Sequence, residues 1–593
     1  MVVCAEQPNC SAGICSIACP RWLLCLIVFG ACSGGRADEP ARSERAPAAD
    51  LVLRGGKVVT MDPMRPEAQA VAVRGEQIAA VGSDEEIAAR IGPQTRVIEL
   101  KGKLVVPGFI EGHGHFLSLG EQKLKLDVSD SATWEDVVAR VAEAAKKTPK
   151  GKWIEGRGWH QGKWKMPPEP SVQGYPVADA LSRVSPDHPV VLTHGTGHMC
   201  LANAKAMELA GVNFQTKAPD GGEILRAAHG QPTGVFRETA MNLIYRVRDR
   251  ALRERTTKEV RDEQLQAVRL ATVECLKHGV TSFQDAGSSC EDVDLFKELA
   301  GRGELKVRLW VMLNDNNEIL ARRLPEYRLI DYGDNYLTVR AIKRMADGAL
   351  GTHGAWLLEP YDDLPGSTGL NVTPLSALRE TAELAIQHEY QLCVHAIGDR
   401  ANREVLNLME AAFRRHPGKK DLRWRIEHVQ HLHPDDIPRF AKLGVIASMQ
   451  ANHATSDGPF VVQRLGQRRA KEGAYAWRSL LEADAVVING TDVPVEKIDP
   501  IACFFSAVTR QMASGATFFP EQAMTREEAL RAYTASAASA AFEEHDKGSV
   551  TPGKLADLVV LSGDFMTVPA EEIGKVRVET TIVGGKVAFA RDK

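Results

Sequence analysis

The chain has 593 residues, of which 44% are hydrophobic and 25% charged, the balance of a soluble globular protein too long for one ordinary core. A formal net charge of −4 and a pI near 6.5 remove any electrostatic case for binding nucleic acid or an anionic membrane surface. Six of the eleven cysteines precede residue 33, and Cys200, Cys275, Cys290, Cys393 and Cys503 stand alone with no CxxC pair, which argues against a disulfide framework and a structural zinc knuckle.

Arg21 precedes the apolar run Trp22–Ala31, and Cys32 follows it. One charge, about ten apolar residues and then small residues is the layout of a secretory signal, and the run is too short to remain as a spanning helix. Gly30-Ala31-Cys32 points to a lipoprotein signal over residues 1–32 with Cys32 acylated; cleavage after Ala37 is the alternative. The chain is therefore expected to be exported, to a bacterial periplasm or to a lipid anchor at the cell envelope. Residues 33–49 carry too little apolar content to fold and read as a flexible linker.

From Asp50 short strand signals follow, Leu51–Leu53, Lys57–Thr60, Ala70–Val73, Gln77–Val81 and Arg96–Leu100, separated by Gly- and Pro-containing turns. The same texture returns in Ala556–Leu561, Val576–Val583 and Lys586–Phe589. The two ends, residues 50–106 and 545–593, are expected to form one small composite β-sandwich. Between them, residues 107–544 alternate strands and helices as repeated βα units do. The strand candidates are Leu104–Ile110, Val280–Gln284, Lys306–Leu313, Thr338–Arg344, Gln391–Val394, Arg423–Ile426, Val445–Met449 and Val486–Asn489. Helices Thr257–Lys277, Pro374–Gln387 and Arg400–His416 fall between them. Eight such strands predict an α/β fold, a (β/α)8 TIM barrel, with a long insertion at about 120–255 after the first barrel strand.

The strand Val105–Ile110 runs through Glu111 and Gly112 into His113-Gly114-His115. Residues at i and i+2 of extended backbone point the same way, so both imidazoles can reach one ion. A lone HxH is common by chance; its place past a buried strand, at the end where barrels carry catalytic groups, gives it weight. His395 and His428 end two further strand candidates, and Asp492 follows another. Four histidines and an aspartate at the same ends of different strands make a coherent site for Zn2+ or a similar ion.

These stretches carry a resemblance. Pro107-Gly108-Phe109-Ile110 leading into His113 and His115, Gly279-Val280-Thr281, Lys343 with Asp347–Gly351, His395–Arg400, Arg425–His428, Thr491-Asp492-Val493-Pro494 and Gly548–Val559 are together similar to the amidohydrolase superfamily. Within it the chain resembles the family 3 amidohydrolases, which include N-substituted formamide deformylase-like proteins, over about residues 50–590. Glu111, Gly112, Thr491 and His353 depart from the family pattern, and His353 stands where a change would alter substrate preference.

The resemblance implies two divalent ions, zinc by expectation. His113, His115 and Asp492 would hold one, His395 and His428 the other, with an N-carboxylated Lys343 between them. It implies that a hydroxide shared by the ions attacks a carbonyl carbon and that Asp492 passes the proton to the leaving nitrogen, cleaving a C–N bond of a small amide, formamide or cyclic amide. A charged, solvated lysine is the plain alternative for Lys343. His198, Trp159 and Gln161 are candidates for the substrate pocket, with turn or core roles as the alternatives. A mononuclear deaminase and a non-catalytic binding barrel are the rival functions. The partners expected are a small-molecule substrate, no nucleic acid, a membrane only through Cys32, and a homodimer left open.

Overall fold

The computed structural model describes residues 47–253 and 255–591. The signal over 1–32 and nearly all of the linker lie outside them. Ala49 already packs, its amide donating to the Arg90 carbonyl at 2.8 Å.

Eight parallel strands form a nearly closed barrel: β1 (Phe109–Gly114), β2 (Val280–Ser288), β3 (Arg308–Leu313), β4 (Leu337–Met345), β5 (Gln391–Ala396), β6 (Arg425–His428), β7 (Ile446–Met449) and β8 (Val487–Asn489), each hydrogen-bonded to the next. The strands are buried on both faces, which is why they read as apolar runs rather than alternating ones. The seam between β8 and β1 is drawn together beyond the ladder, where the Asp492 amide donates to the His113 carbonyl at 2.8 Å. Glycine permits this approach: a Cβ on Gly112 would lie 2.4 Å from the Asn489 carbonyl oxygen, and one on Gly490 2.5 Å from the His113 nitrogen.

The expected first strand Leu104–Ile110 is in fact two elements. Leu104–Pro107 belongs to a different sheet, and the barrel strand begins at Phe109. The break falls at Gly108, whose amide donates to the Asp557 carbonyl and whose missing Cβ leaves room for Thr281. Leu104–Pro107 pairs antiparallel with Leu558–Leu561 inside a six-stranded sheet that also holds Lys57–Val59, Glu67–Ala68, Val578–Val583 and Lys586–Ala590. A four-stranded sheet of Gln77–Gly82, Ala70–Arg74, Leu51–Arg54 and Arg96–Glu99 faces it, with Leu53, Val58, Val71, Val105, Leu558 and Ile582 packed between. The buried Arg308–Asp557 ion pair, 2.8 Å, fastens this sandwich to the N-terminal end of β3.

Between β1 and β2 the chain forms another six-stranded sheet, in the order Leu126–Asp127, Ile154–Trp159, Val190–His194, Met199–Ala202, Pro232–Glu238, Gly222–Arg226. Its two faces carry separate cores. One holds Trp134, Trp159, Trp164, Leu192 and Val235; the other holds Cys200, Ile224, Phe236 and Ile244. The Asp130–Lys497 ion pair, 2.8 Å, joins this insertion to the loop after β8. Cys200, Cys275, Cys290, Cys393 and Cys503 are free and buried. No helix among the described residues is long and apolar enough to cross a membrane.

Candidate metal centre

The C-terminal ends of the barrel strands bring His113, His428 and Asp492 together, one ligand atom from each lying within 4.8 Å of the others, all buried. His113 comes from the end of β1 and His428 is the last residue of β6. Asp492 lies three residues beyond β8. His428, Val429 and Asp492 have φ of 78°, 46° and 56°, a region that non-glycine residues hold only when their surroundings impose it. The His395 ring lies 4.4 Å from that of His428, and His115 places Nε2 3.2 Å from Asp492 Oδ1. Lys343, on β4, brings Nζ to 3.3 Å from His113 Nε2. His428 thus stands between the two expected groups, its ring 4.7 Å from that of His113 and 4.4 Å from that of His395.

Hydrogen bonds select the ring nitrogens. His113 Nδ1 donates to Glu427 Oε2 at 2.6 Å, which leaves the Nε2 lone pair facing the centre. Glu427 is held in turn by Arg425, 2.8 Å away, and both are fully buried. His428 Nδ1 faces Gln450 Oε1 at 2.8 Å, and the Gln450 amide nitrogen donates to the Ser448 carbonyl, which orients the oxygen toward the ring. Asp347 spends its carboxylate on the Trp356, Ile397 and Gly398 amides and shapes the loop that follows His395.

The electrostatics suit a cation. Burial, with the Lys343 charge beside it, pushes His113 down to about 4, so its ring is neutral at ordinary pH. Burial and the neighbouring His395 and His113 rings hold His428 well below the usual imidazole range. Burial likewise lowers Lys343. Burial alone would raise Asp492, but His115, His113 and His428 outweigh it and keep the carboxyl well below the usual range. Asp492 Oδ1 and His395 Nε2 are buried without a hydrogen-bond partner. The neutral His113 and His428 rings and the ionised Asp492 carboxylate are a donor set that fits a divalent metal.

The remaining candidates have partners of their own. Trp159 corrects the expectation of a pocket wall: it is fully buried in the insertion's own core beside Trp164, its indole N–H donating to the Leu192 carbonyl at 2.9 Å. Gln161 faces His194 at 3.1 Å, and His198 pairs with Glu238 at 3.2 Å, both within the insertion. His353 pairs with Asp363 at 3.1 Å, beside Tyr361. Sequence reasoning missed Glu427, Arg425, Gln450 and His453. Arg425 and Glu427 had a signal, since charges two apart inside a buried strand share a face and must pair. Gln450 and His453 follow the seventh strand, where no spacing rule marks them.

The Amidohydrolase family profile matches residues 96–589. The chain belongs to the amidohydrolase family. Among relatives of this amidohydrolase, "Protein LONG AFTER FAR-RED 3" of Arabidopsis thaliana is 33% identical over 555 residues, covering 91% of this chain and 92% of the relative. "N-substituted formamide deformylase" of Arthrobacter pascens is 27% identical, covering 91% and 98%. A metal-dependent hydrolase of Pyrococcus furiosus, solved by crystallography, superposes with a TM-score of 0.67 at 26% identity, covering 87% of this chain and all of that one. The amidohydrolase is a metal-dependent hydrolytic enzyme built on a TIM barrel with an additional domain.

Proposed function

We propose that this amidohydrolase cleaves the C–N bond of a small amide, with N-substituted formamides as the first class to try. The observation that carries the reading is the buried convergence of His113, His428 and Asp492, with Asp492 Oδ1 left without a hydrogen-bond partner, at the C-terminal end of the barrel strands. The formamide class is supported by the Arthrobacter pascens relative, which matches over nearly its whole length. His113, His115 and Asp492 would hold one zinc ion, and His395 and His428 a second, with Lys343 as carbamate between them. Such ions supply Lewis acidity and a lowered pKa for water.

The chain's own part is orientation and proton transfer. Glu427 and Gln450 fix the His113 and His428 rings, and the carboxylate of Asp492 takes a proton from water and passes it to the leaving nitrogen. Burial favours the neutral amine of Lys343, the form that reacts with CO2. The triad by itself is a single-ion set, which supports a mononuclear deaminase as the second reading.

Metal analysis of the purified chain tests both. The proposal expects two ions per chain, fewer in His113→Ala or His428→Ala, and loss of at least one ion and most amide hydrolysis in Lys343→Ala, partly restored by short carboxylic acids. One ion, with turnover of aminopurines but not amides, would replace it with the deaminase. We also propose that the chain is exported and anchored through Cys32. Cell fractionation should find it in the envelope and find Cys32→Ser released or unprocessed, whereas full-length wild type in the cytoplasm would oppose export.

A further inference from the structure

The seventh barrel strand, β7, gives way at Gln450 to the helix Ala451–Gly473, whose start is fixed by the Ala451 amide donating to Asn489 Oδ1 at 2.9 Å. His453 sits in the first turn of that helix with its ring beside His428. It lies nearly parallel to His428, at 6.2 Å and 18°. Gln430 Nε2 stands 3.1 Å from His453 Nδ1. An amide N–H can only donate, so Nδ1 accepts and the ring proton is on Nε2.

That Nε2 is buried and has no hydrogen-bond partner. Its nearest acidic oxygen, Asp492 Oδ2, is 4.0 Å away, beyond hydrogen-bond reach. Buried donors are almost always satisfied, so an oriented donor left over beside the reacting centre marks the place of an acceptor brought by the ligand. An amide substrate offers two heteroatoms. Its nitrogen lone pair is delocalised and accepts poorly, whereas its carbonyl oxygen accepts well and gains negative charge as the carbonyl carbon becomes tetrahedral.

We infer that His453 is a further catalytic residue, whose Nε2–H donates to the carbonyl oxygen of the scissile amide and holds the charge that develops there. The inference rests on the amide-hydrolysis reading of the site. It assigns the seventh strand a part in the chemistry separate from the ligand set. Because the charge is largest in the tetrahedral state, the bond strengthens along the reaction, and its loss should fall on kcat rather than KM.

The test uses the full-length zinc-loaded protein and methylphosphonate, a tetrahedral oxyanion, as the probe. Wild type, His453→Gln and His453→Phe should carry equal zinc and melt alike. Calorimetric titration should show His453→Phe binding methylphosphonate at least about tenfold more weakly, with His453→Gln, which keeps a donor, within about threefold of wild type. In zinc-free protein, nitrogen NMR of labelled histidine should show the Nε2-protonated ring in wild type and its loss of bias in Gln430→Leu. Equal affinity in wild type and His453→Phe, or no binding by zinc-loaded wild type, would overturn the inference. Loss of zinc in His453→Phe would overturn it too, by making His453 a ligand. Failure of wild type to bind zinc at all would instead bring down the metal-site reading beneath it.

Discussion

Glu427 shows how much of a metal centre is set one layer behind the ligands. Its carboxylate is fully buried between Arg425 and His113, and although burial pushes it up, the Arg425 guanidinium and the hydrogen bond from His113 hold it well below the usual carboxylate range. It therefore orients His113 and raises the basicity of the nitrogen opposite. Glu427→Gln preserves the shape and removes the charge. Zinc affinity is expected to fall roughly 10- to 100-fold, measured by competition with a chromophoric chelator; an unchanged affinity would reduce Glu427 to a structural pair with Arg425. His113, His115, His395, His428 and Asp492 were legible because each follows an apolar strand, and strand ends are where a barrel carries its chemistry. Trp159 was misread because an aromatic beside a candidate pocket and one in a small core look alike in sequence. His453 was invisible for a different reason, since its direction depends on the phase at which a helix begins.

The barrel strands were readable as elements because burial on both faces makes them continuous apolar runs. The division at Gly108 was not, since Leu104–Ile110 is equally apolar on either side of it. What matters there, as at the β8–β1 seam, is a close approach that only the packed molecule reveals. Gly112→Ala places a methyl group against the Asn489 backbone, which cannot swing aside. A loss of about 2–3 kcal/mol in urea unfolding is expected, with a displaced His113 and reduced zinc content; wild-type stability would show that the seam yields. A second element-level prediction concerns the helix Arg526–Ala532. Glu528 closes its capping box with Thr525 and also pairs with Arg478, and these contacts hold its carboxyl down at about 2 against an ordinary 4.5. A depressed carboxyl stabilises the fold above the unfolded value and loses that contribution as pH falls from about 4.5 through about 2. Glu528→Gln should cost roughly 1–2 kcal/mol at neutral pH and flatten the acid limb in that window, read from thermal melts against pH.

At the scale of the molecule, the two chain ends share one sandwich whose central pairing, Leu104–Pro107 with Leu558–Leu561, joins residues far apart in sequence. Matching turn-rich textures at both ends made that legible; which strands pair was not, because register depends on side chains from both. Beyond Leu558–Leu561, the hairpin Val578–Ala590 covers the edge, and Thr581 Oγ1 donates to the Leu276 carbonyl at 2.6 Å. Ending the chain at residue 577 strips that edge and removes Ile582 from the core. The shortened chain is expected to aggregate or to melt roughly 10 °C or more lower, by calorimetry; an unchanged melt would show that the hairpin is dispensable. The insertion is built otherwise, with apolar cores on both faces of its sheet that are its own. Its packing does not have to be renegotiated when the barrel changes, nor the barrel's when the insertion does. Substitutions in those cores can therefore accumulate and be sorted by natural selection at little risk to the ligand geometry of the barrel, so lineages that keep the same chemistry are free to diverge in the insertion.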